Sequence, residues 1–81
     1  SGHAMDPIVL SHYTHYKDPT KQYEIVAVGY IKATMEKAVI YRALYDTPDL
    51  GSQPVFVRTL ENFMEMVEVD GKQVPRFSRV E

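Results

Sequence analysis

The sequence has no cysteine among its 81 residues. It therefore cannot form a disulfide, a thiolate metal site or a cysteine nucleophile. The absence fits a reducing compartment, and we expect a cytoplasmic protein. The sequence also lacks any apolar run near the roughly 18 residues that a membrane-spanning helix needs, so we expect no membrane partner.

A large excess of charge is also missing. The formal net charge is −2 at pH 7, with 25% of residues charged and 44% hydrophobic. A value so near neutral does not indicate a general nucleic-acid or membrane binder. The composition is that of an ordinary globular domain.

The length limits the chain to one small domain. A domain of about 60 ordered residues buries only about 60% of the surface that its unfolded chain exposes. Residues 1–5 have neither the basic segment nor the apolar core of a signal peptide. We expect them to be a cloning scar, and residues 6–81 to form a single β-barrel domain.

The chain is organised around residues 37–45, a run of strong β formers that is apolar except for Arg42. Residues 38–45 are expected to be the central strand of a small sheet. One face of that strand would belong to the core and carry Val39, Tyr41, Ala43 and Tyr45. The other face would carry Ile40, Arg42 and Leu44, where any recognition is expected.

Further β-type runs cover residues 22–31, 55–59, 67–69 and 72–74. Asp70-Gly71 is the strongest short hairpin signal in the chain. Residues 18–21 contain a proline and predict a turn, Gly29 predicts a bulge or a close approach, and residues 32–37 are expected to be a hairpin tip. Thr59 is expected to cap one helical turn over residues 60–65.

Five or six short strands with one helical turn, and no βαβ pattern or repeat, predict a mainly β fold. In a chain of this size the expected architecture is a partly open antiparallel barrel, because curling a sheet protects its edges.

Several segments also carry a family resemblance. They occur in family order at residues 15–17, 23–26, 39–45, 56–60 with Phe63, 67–72 and 74–77. Together they resemble the small bacterial family called domain of unknown function 1653. The resemblance implies an SH3-like small β-barrel and no activity, because the family has no established one to carry over. The chain departs from the family pattern at three places. Phe56 stands where a tryptophan is common, and residues 31–34 stand where a histidine-containing loop is common. The loop at residues 46–54 is longer than is usual in the family.

The candidate site starts from Arg42 and Arg58. If their strands join in a symmetric antiparallel register across residues 46–54, Arg42 lies opposite Arg58, and Leu44 opposite Phe56. Two guanidiniums beside an aromatic ring suit a phosphate or a carboxylate, because arginine offers a planar, bidentate fork.

The alternative, which we favour, is that the two arginines never form a joint site. A register that differs by one residue would reverse every facing assignment. The arginines would otherwise be neutralised internally by one or more of four carboxylates, namely Glu24, Glu61, Glu65 and Glu68.

Aromatic residues near basic ones extend the candidate surface. Tyr41 and Tyr45 are expected to pack in the core, whereas Tyr13 and Tyr16 adjoin His15 and Lys17 and are better surface candidates. The complete set of candidate ligand-binding residues is Arg42, Arg58, Phe56, His15, Tyr16 and Arg76.

Nothing in the sequence indicates catalytic or metal chemistry. His12, His15 and Asp18 follow one another at a spacing of three residues, but in an extended segment residues i and i+3 point to opposite faces. No serine has a nucleophile-elbow context, and there is no glycine-rich phosphate loop. We expect no metal, no cofactor and no catalytic residue.

Three function classes remain. The first is a non-catalytic binding module for an anionic ligand, a nucleic-acid segment or an acidic peptide, suggested by the arrangement of arginine and aromatic residues. The second is a structural or homo-oligomeric module, with the oligomeric state left open. The third is an enzyme whose site the sequence does not reveal.

Overall fold

Residues 6–80, the part of the chain that this computed structural model describes, form nine strands and one short helix. The expected cloning scar at residues 1–5 lies outside the described residues. The elements in chain order are β1 (His12–His15), β2 (Asp18–Tyr30), β3 (Lys37–Ala43), β4 (Asp46–Thr47), β5 (Gly51–Ser52), β6 (Val55–Thr59), α1 (Leu60–Phe63), β7 (Met66–Val69), β8 (Lys72–Pro75) and β9 (Phe77–Arg79).

One antiparallel sheet of five strands organises the fold. Its strand order is β6-β3-β2-β1-β9, and β4-β5 and β7-β8 form two separate two-stranded ladders. The prediction of a mainly β, partly open antiparallel fold with one helical turn is confirmed, and the sheet does not close into a barrel. Within residues 6–80 no helix has the length and apolar character needed to cross a membrane.

Strand β3 has the alternating burial that its sequence predicts. Val39, Tyr41 and Ala43 are buried, whereas Ile40 and Arg42 are only partly covered. Tyr45 lies just beyond the end of the strand and is half-buried. The middle of the sheet is the 13-residue strand β2, which pairs with both β1 and β3, so the prediction that residues 38–45 form the central strand was wrong by one position.

The core brings distant parts of the chain together. Its members are Ile25, Val39, Tyr41, Phe63 and Phe77. Phe63 from α1 and Phe77 from β9 stack with their ring centroids 4.2 Å apart and their planes 6° apart. Burying an aromatic or large aliphatic side chain contributes about 1.5–3 kcal/mol. These rings therefore hold the helix and the last strand onto the sheet.

Helix α1 begins where the sequence predicts. Thr59 has extended backbone angles, and its hydroxyl accepts a hydrogen bond from the amide of Asn62 at 3.1 Å. The cap satisfies one of the amides that a helix start leaves without a partner.

The turns are partly as expected. The hairpin tip expected at residues 32–37 covers residues 31–36, because β3 already begins at Lys37, and a 2.8 Å hydrogen bond from the amide of Ile31 to the carbonyl of Glu36 closes it. The first turn lies at residues 16–17 instead of 18–21, because β2 already begins at Asp18. The irregularity in β2 falls between Ile25 and Ala27, not at Gly29.

The Asp70-Gly71 hairpin between β7 and β8 is confirmed. Asp70 has φ 52° and Gly71 has φ 79°, which is the pattern of a type I′ turn. Only glycine adopts such a positive φ without a steric cost from Cβ.

Gly71→Ala is expected to lower the free energy of unfolding by about 1–2 kcal/mol, because the new Cβ is strained in the left-handed region. Gly29→Ala is the matched control. A Cβ at either glycine meets no atom within 4 Å, and Gly29 is not at positive φ, so only the backbone strain differs. Urea denaturation of both variants measures the difference. Equal losses in the two would contradict the role of the turn.

Candidate functional site

The two arginines on β3 and β6 do not face each other. Arg42 lies opposite Val55 and Arg58 lies opposite Val39, a shift of three residues from the predicted pairing. An odd shift places the two guanidiniums on opposite faces of the sheet. Arg42 and Arg58 therefore form no joint site, which is the alternative that we favoured from the sequence.

The register differs because the connection between β3 and β6 is not symmetric. Strands β4 and β5 fold back on each other as a small hairpin of their own within residues 46–52. The amide of Ala43 then donates to the carbonyl of Pro54 at 2.9 Å, which sets the start of the β3–β6 ladder.

Arg42 belongs to an ionic group on the outer face of the sheet. Its Nη1 lies 3.9 Å from Oε1 of Glu24, directly across on β2. The other oxygen of Glu24 lies 3.3 Å from Nε2 of His12. The alternative in which Glu24 neutralises Arg42 is confirmed.

The inner face of the sheet carries a cleft of about 320 Å³. Its lining residues are His15, Lys17, Asp18, Lys21, Tyr23, Tyr41, Tyr45, Phe56, Arg58 and Phe77. Three of the six predicted site residues line it: His15, Phe56 and Arg58.

Two further predicted residues adjoin the cleft. The ring of Tyr16 packs against His15 with centroids 4.8 Å apart, and its amide donates to the carbonyl of Arg76 at 3.0 Å. Nη2 of Arg76 lies 2.6 Å from Oε1 of Glu65, which neutralises it. The structure thus gathers five of the six predicted residues in one region and leaves Arg42 outside.

Arg58 is held in place by neutral groups. Its Nε donates to the hydroxyl of Tyr41 at 2.8 Å, and its Nη1 donates to Oδ1 of Asn62 at 2.6 Å. Its guanidinium carbon lies 5.3 Å from the centroid of Phe77, within cation–π range. Among residues 6–80 no carboxylate oxygen comes within 4.0 Å of it. Arg58 is therefore oriented without being neutralised.

Asn62 links this arginine to the helix cap. Its amide is bound by Thr59, its side chain accepts from Arg58, and its carbonyl accepts from Nε of Arg76 at 3.2 Å. Asn62 was not among the predicted site residues. Its position three residues after a predicted cap was the available signal, because that spacing puts it at the start of the helix beside the end of β6.

His15 faces the same positive region. Its Nδ1 accepts from the amide of Lys17 at 3.2 Å, so the neutral ring carries its proton on Nε2 and can donate from there. Burial lowers the pKa of His15, and the positive charges of Arg58, Arg76 and Lys17 lower it further. The ring is thus biased toward its neutral form.

Tyrosines form much of the cleft wall. The hydroxyls of Tyr23 and Tyr45 share a 2.6 Å hydrogen bond, and burial together with this bond raises the pKa of Tyr23. The ammonium of Lys21 lies 4.8 Å from the ring centroid of Tyr45. Lys21 was missed because residues 18–21 were taken for a turn, and Tyr23 was placed in a strand without being assigned to the site. Their alternation along an extended strand would have placed them on one face.

The cleft is richer in donors than in acceptors. Its only carboxylate among the described residues is Asp18, which accepts from the Thr20 hydroxyl at 2.6 Å and lies 3.8 Å from Nζ of Lys21. The bonds from Thr20 lower the pKa of Asp18. Over residues 6–80 no three acidic or histidine side chains gather to hold a metal ion. The arrangement suits binding of an anion.

A second groove, of about 370 Å³, lies near helix α1. Its lining residues are Glu36, Lys37, Thr59, Leu60, Glu61 and Met64. The lysine is bound to Asp6 at 2.8 Å, so this groove offers no unpaired cation within the described chain.

Arg58→Gln is expected to raise the pKa of His15 part of the way back toward 6.5, since one nearby positive charge is removed while the burial remains. A pH titration of the imidazole signals by NMR measures it. Arg42→Gln is the control, because it removes the same charge from the opposite face. An unchanged pKa in the Arg58 variant, or an equal rise in the control, would contradict the assignment.

The same shift affects stability. The folded state binds the His15 proton more weakly than the unfolded chain does. The contribution of His15 to the free energy of unfolding is therefore complete above pH 6.5, and it is lost as the pH falls through the lower pKa of the folded state. In the Arg58 variant this loss on acidification should be smaller.

Comparison with known proteins agrees with the resemblance carried by β3, by the β6–α1 segment and by the Asp70-Gly71 hairpin. The comparison with curated proteins found no match, and neither did the comparison with solved structures. A family match covers residues 11–79, which is most of the chain. The chain therefore belongs to the family described as Protein of unknown function (DUF1653).

Proposed function

We propose that the protein is a non-catalytic binding module that holds an anionic ligand in the inner-face cleft. One observation carries the proposal: Arg58 is partly buried and fixed in orientation, yet within residues 6–80 it has no carboxylate partner. Holding a charge in a partly desolvated site without a partner costs free energy, and a bound anion would offset that cost.

The geometry of Arg58 favours tight binding. Its Nε and Nη1 are engaged by Tyr41 and Asn62, and Nη2 has no hydrogen-bond partner among the described residues. A side chain already held in one orientation loses little conformational entropy when a ligand binds. The N–H groups of Nη2 remain available to a carboxylate or phosphate oxygen, and such charge-assisted hydrogen bonds are short and strong.

The aromatic walls of the cleft also favour anion binding. Tyr23, Tyr41, Phe56 and Phe77 line the sides of the site with aromatic rings. Electrostatic attraction is stronger beside such low-dielectric walls than in bulk water. The Nε2–H of His15 supplies a neutral donor nearby. Free anions, nucleic-acid segments and acidic peptides all present an anion of this kind.

Enzymatic function has less support. His12 and Glu24 make the histidine–carboxylate pair of the described chain, but they lie on the outer face, away from the cleft. A second candidate, a homo-oligomeric module, rests on the edge strand β6. Its outward residues Val55 and Val57 are 49% and 61% exposed, and edge strands readily pair with other chains.

The binding proposal predicts that Arg58→Gln weakens anion binding by about tenfold or more, since a hydrogen bond to a charged group contributes about 1.5–3 kcal/mol. NMR titrations with inorganic phosphate, adenosine monophosphate, a glutamate-rich peptide and a short single-stranded RNA measure it. Arg42→Gln is the matched control and should bind as the original chain does. If no probe shifts the cleft signals at millimolar concentration, the proposal is wrong.

The oligomer candidate predicts a sedimentation mass that rises with protein concentration and returns to the monomer value in Val57→Lys, which places a charge on the exposed edge. Val69→Lys, on the separate β7–β8 hairpin, is the control. A mass independent of concentration rules this candidate out.

A further inference from the structure

The charges that line the cleft do not balance. Lys17, Lys21 and Arg58 are cationic and Asp18 is anionic, while the environment of His15 favours its neutral form. Two positive charges therefore remain in excess, in a protein whose formal net charge is −2. The excess is a local property of this cleft.

We infer that the ligand is a phosphate monoester joined to a planar ring, as in a nucleoside monophosphate. This inference rests on the proposed anion-binding function. A phosphate monoester carries a charge of about −1.5 to −2 at neutral pH, which matches the excess. A carboxylate or an internal phosphodiester carries a single negative charge and leaves half of the excess without a partner.

The available donors also suit a phosphate. Arg58 retains the N–H groups of Nη2, and His15 retains its Nε2–H, which are all without hydrogen-bond partners among residues 6–80. A monoester presents three acceptor oxygens, of which Nη2 of Arg58 can donate to one and Nε2 of His15 to another. Lys17 and Lys21 carry their ammonium groups on flexible stems and can approach the remaining oxygen.

The ring-binding part of the inference comes from the walls. Half of the lining residues are aromatic, namely Tyr23, Tyr41, Tyr45, Phe56 and Phe77. Tyr41 and Phe77 are buried in the core, so the rings that can reach a ligand are those of Tyr23, Tyr45 and Phe56, which are partly exposed. Aromatic side chains stack on nucleobases with little dependence on the base.

The size of the cleft indicates a single unit. Its volume of about 320 Å³ lies at the lower end of the range of about 300–1,000 Å³ for small-molecule pockets. The same chemistry is found in a free nucleotide and in the phosphorylated end of a single strand. Neither source needs the long basic groove that tracks the backbone of a polymer.

Isothermal titration calorimetry of the full chain with adenosine monophosphate, ribose phosphate, inorganic phosphate and adenosine tests the inference. The nucleotide should bind at least about fivefold more tightly than ribose phosphate, the gain expected from stacking one base. Adenosine alone should bind most weakly, because it lacks the anion.

Tyr45→Leu provides a second measurement. It should reduce the affinity for adenosine monophosphate by about fivefold and leave that for ribose phosphate unchanged. Tyr30→Leu is the matched control, since Tyr30 also has a lysine over its ring, Lys37 at 5.8 Å, but does not line the cleft. Equal effects of the two substitutions would overturn the assignment of a ring-binding wall.

The results of these measurements distinguish the nucleotide inference from the proposed anion-binding function. If ribose phosphate or inorganic phosphate binds as tightly as the nucleotide, or if a glutamate-rich or phosphotyrosine peptide binds more tightly, the nucleotide inference is wrong and anion binding stands. If no phosphate or acidic probe binds, both fail. A nucleic-acid single strand with a terminal phosphate is compared with the free nucleotide and with the same strand lacking that phosphate. If the phosphorylated strand binds more tightly than both, the strand end is the natural source of the ligand. The reverse order identifies the free nucleotide.

Discussion

The stacked pair of Phe63 and Phe77 is the contact on which the rest of the structure depends. It joins helix α1 to the final strand, at a centroid distance of 4.2 Å, and both rings are buried against β2 and β3. The guanidinium of Arg58 lies 5.3 Å from the centroid of Phe77. A core contact that fixes the fold therefore also supports the charged group of the cleft. Loss of either ring would disturb both, because a small domain has little other core to replace them.

Helix α1 also supports both the fold and the charged group of the cleft. It is only four residues long, so its own propensity contributes little and its position must come from the cap and from Phe63. With Thr59 holding the amide of Asn62, the Asn62 side chain is free to accept from Arg58. The orientation of one arginine thus depends on a hydroxyl cap, a buried ring and an amide oxygen. All three are neutral, which leaves the charge of the guanidinium available to a ligand.

Local signals in the sequence predicted local structure well. The alternation in β3, the cap at Thr59 and the turn at Asp70-Gly71 each depend on a few neighbouring residues, and the structure has all three. The β3–β6 register was missed because it depends on how residues 46–52 fold back as a hairpin, which no pairwise spacing encodes. The first turn was missed because Pro19 is tolerated near the start of a strand, so β2 extends through it. Lys21, which lies in the segment taken for a turn, was consequently not predicted to line the cleft.

Three arginines of the chain show why composition could not identify the site. Arg42 has Glu24 beside it and Arg76 has Glu65, whereas within residues 6–80 Arg58 has only Tyr41, Asn62 and the Phe77 ring. The residue type is the same in each case, and the difference lies in which side chains the fold brings near. Burial lowers the pKa of His15, and the cationic groups around Arg58, which are only partly offset, lower it further. That local field, in a chain with a small net negative charge, distinguishes the cleft from the rest of the surface.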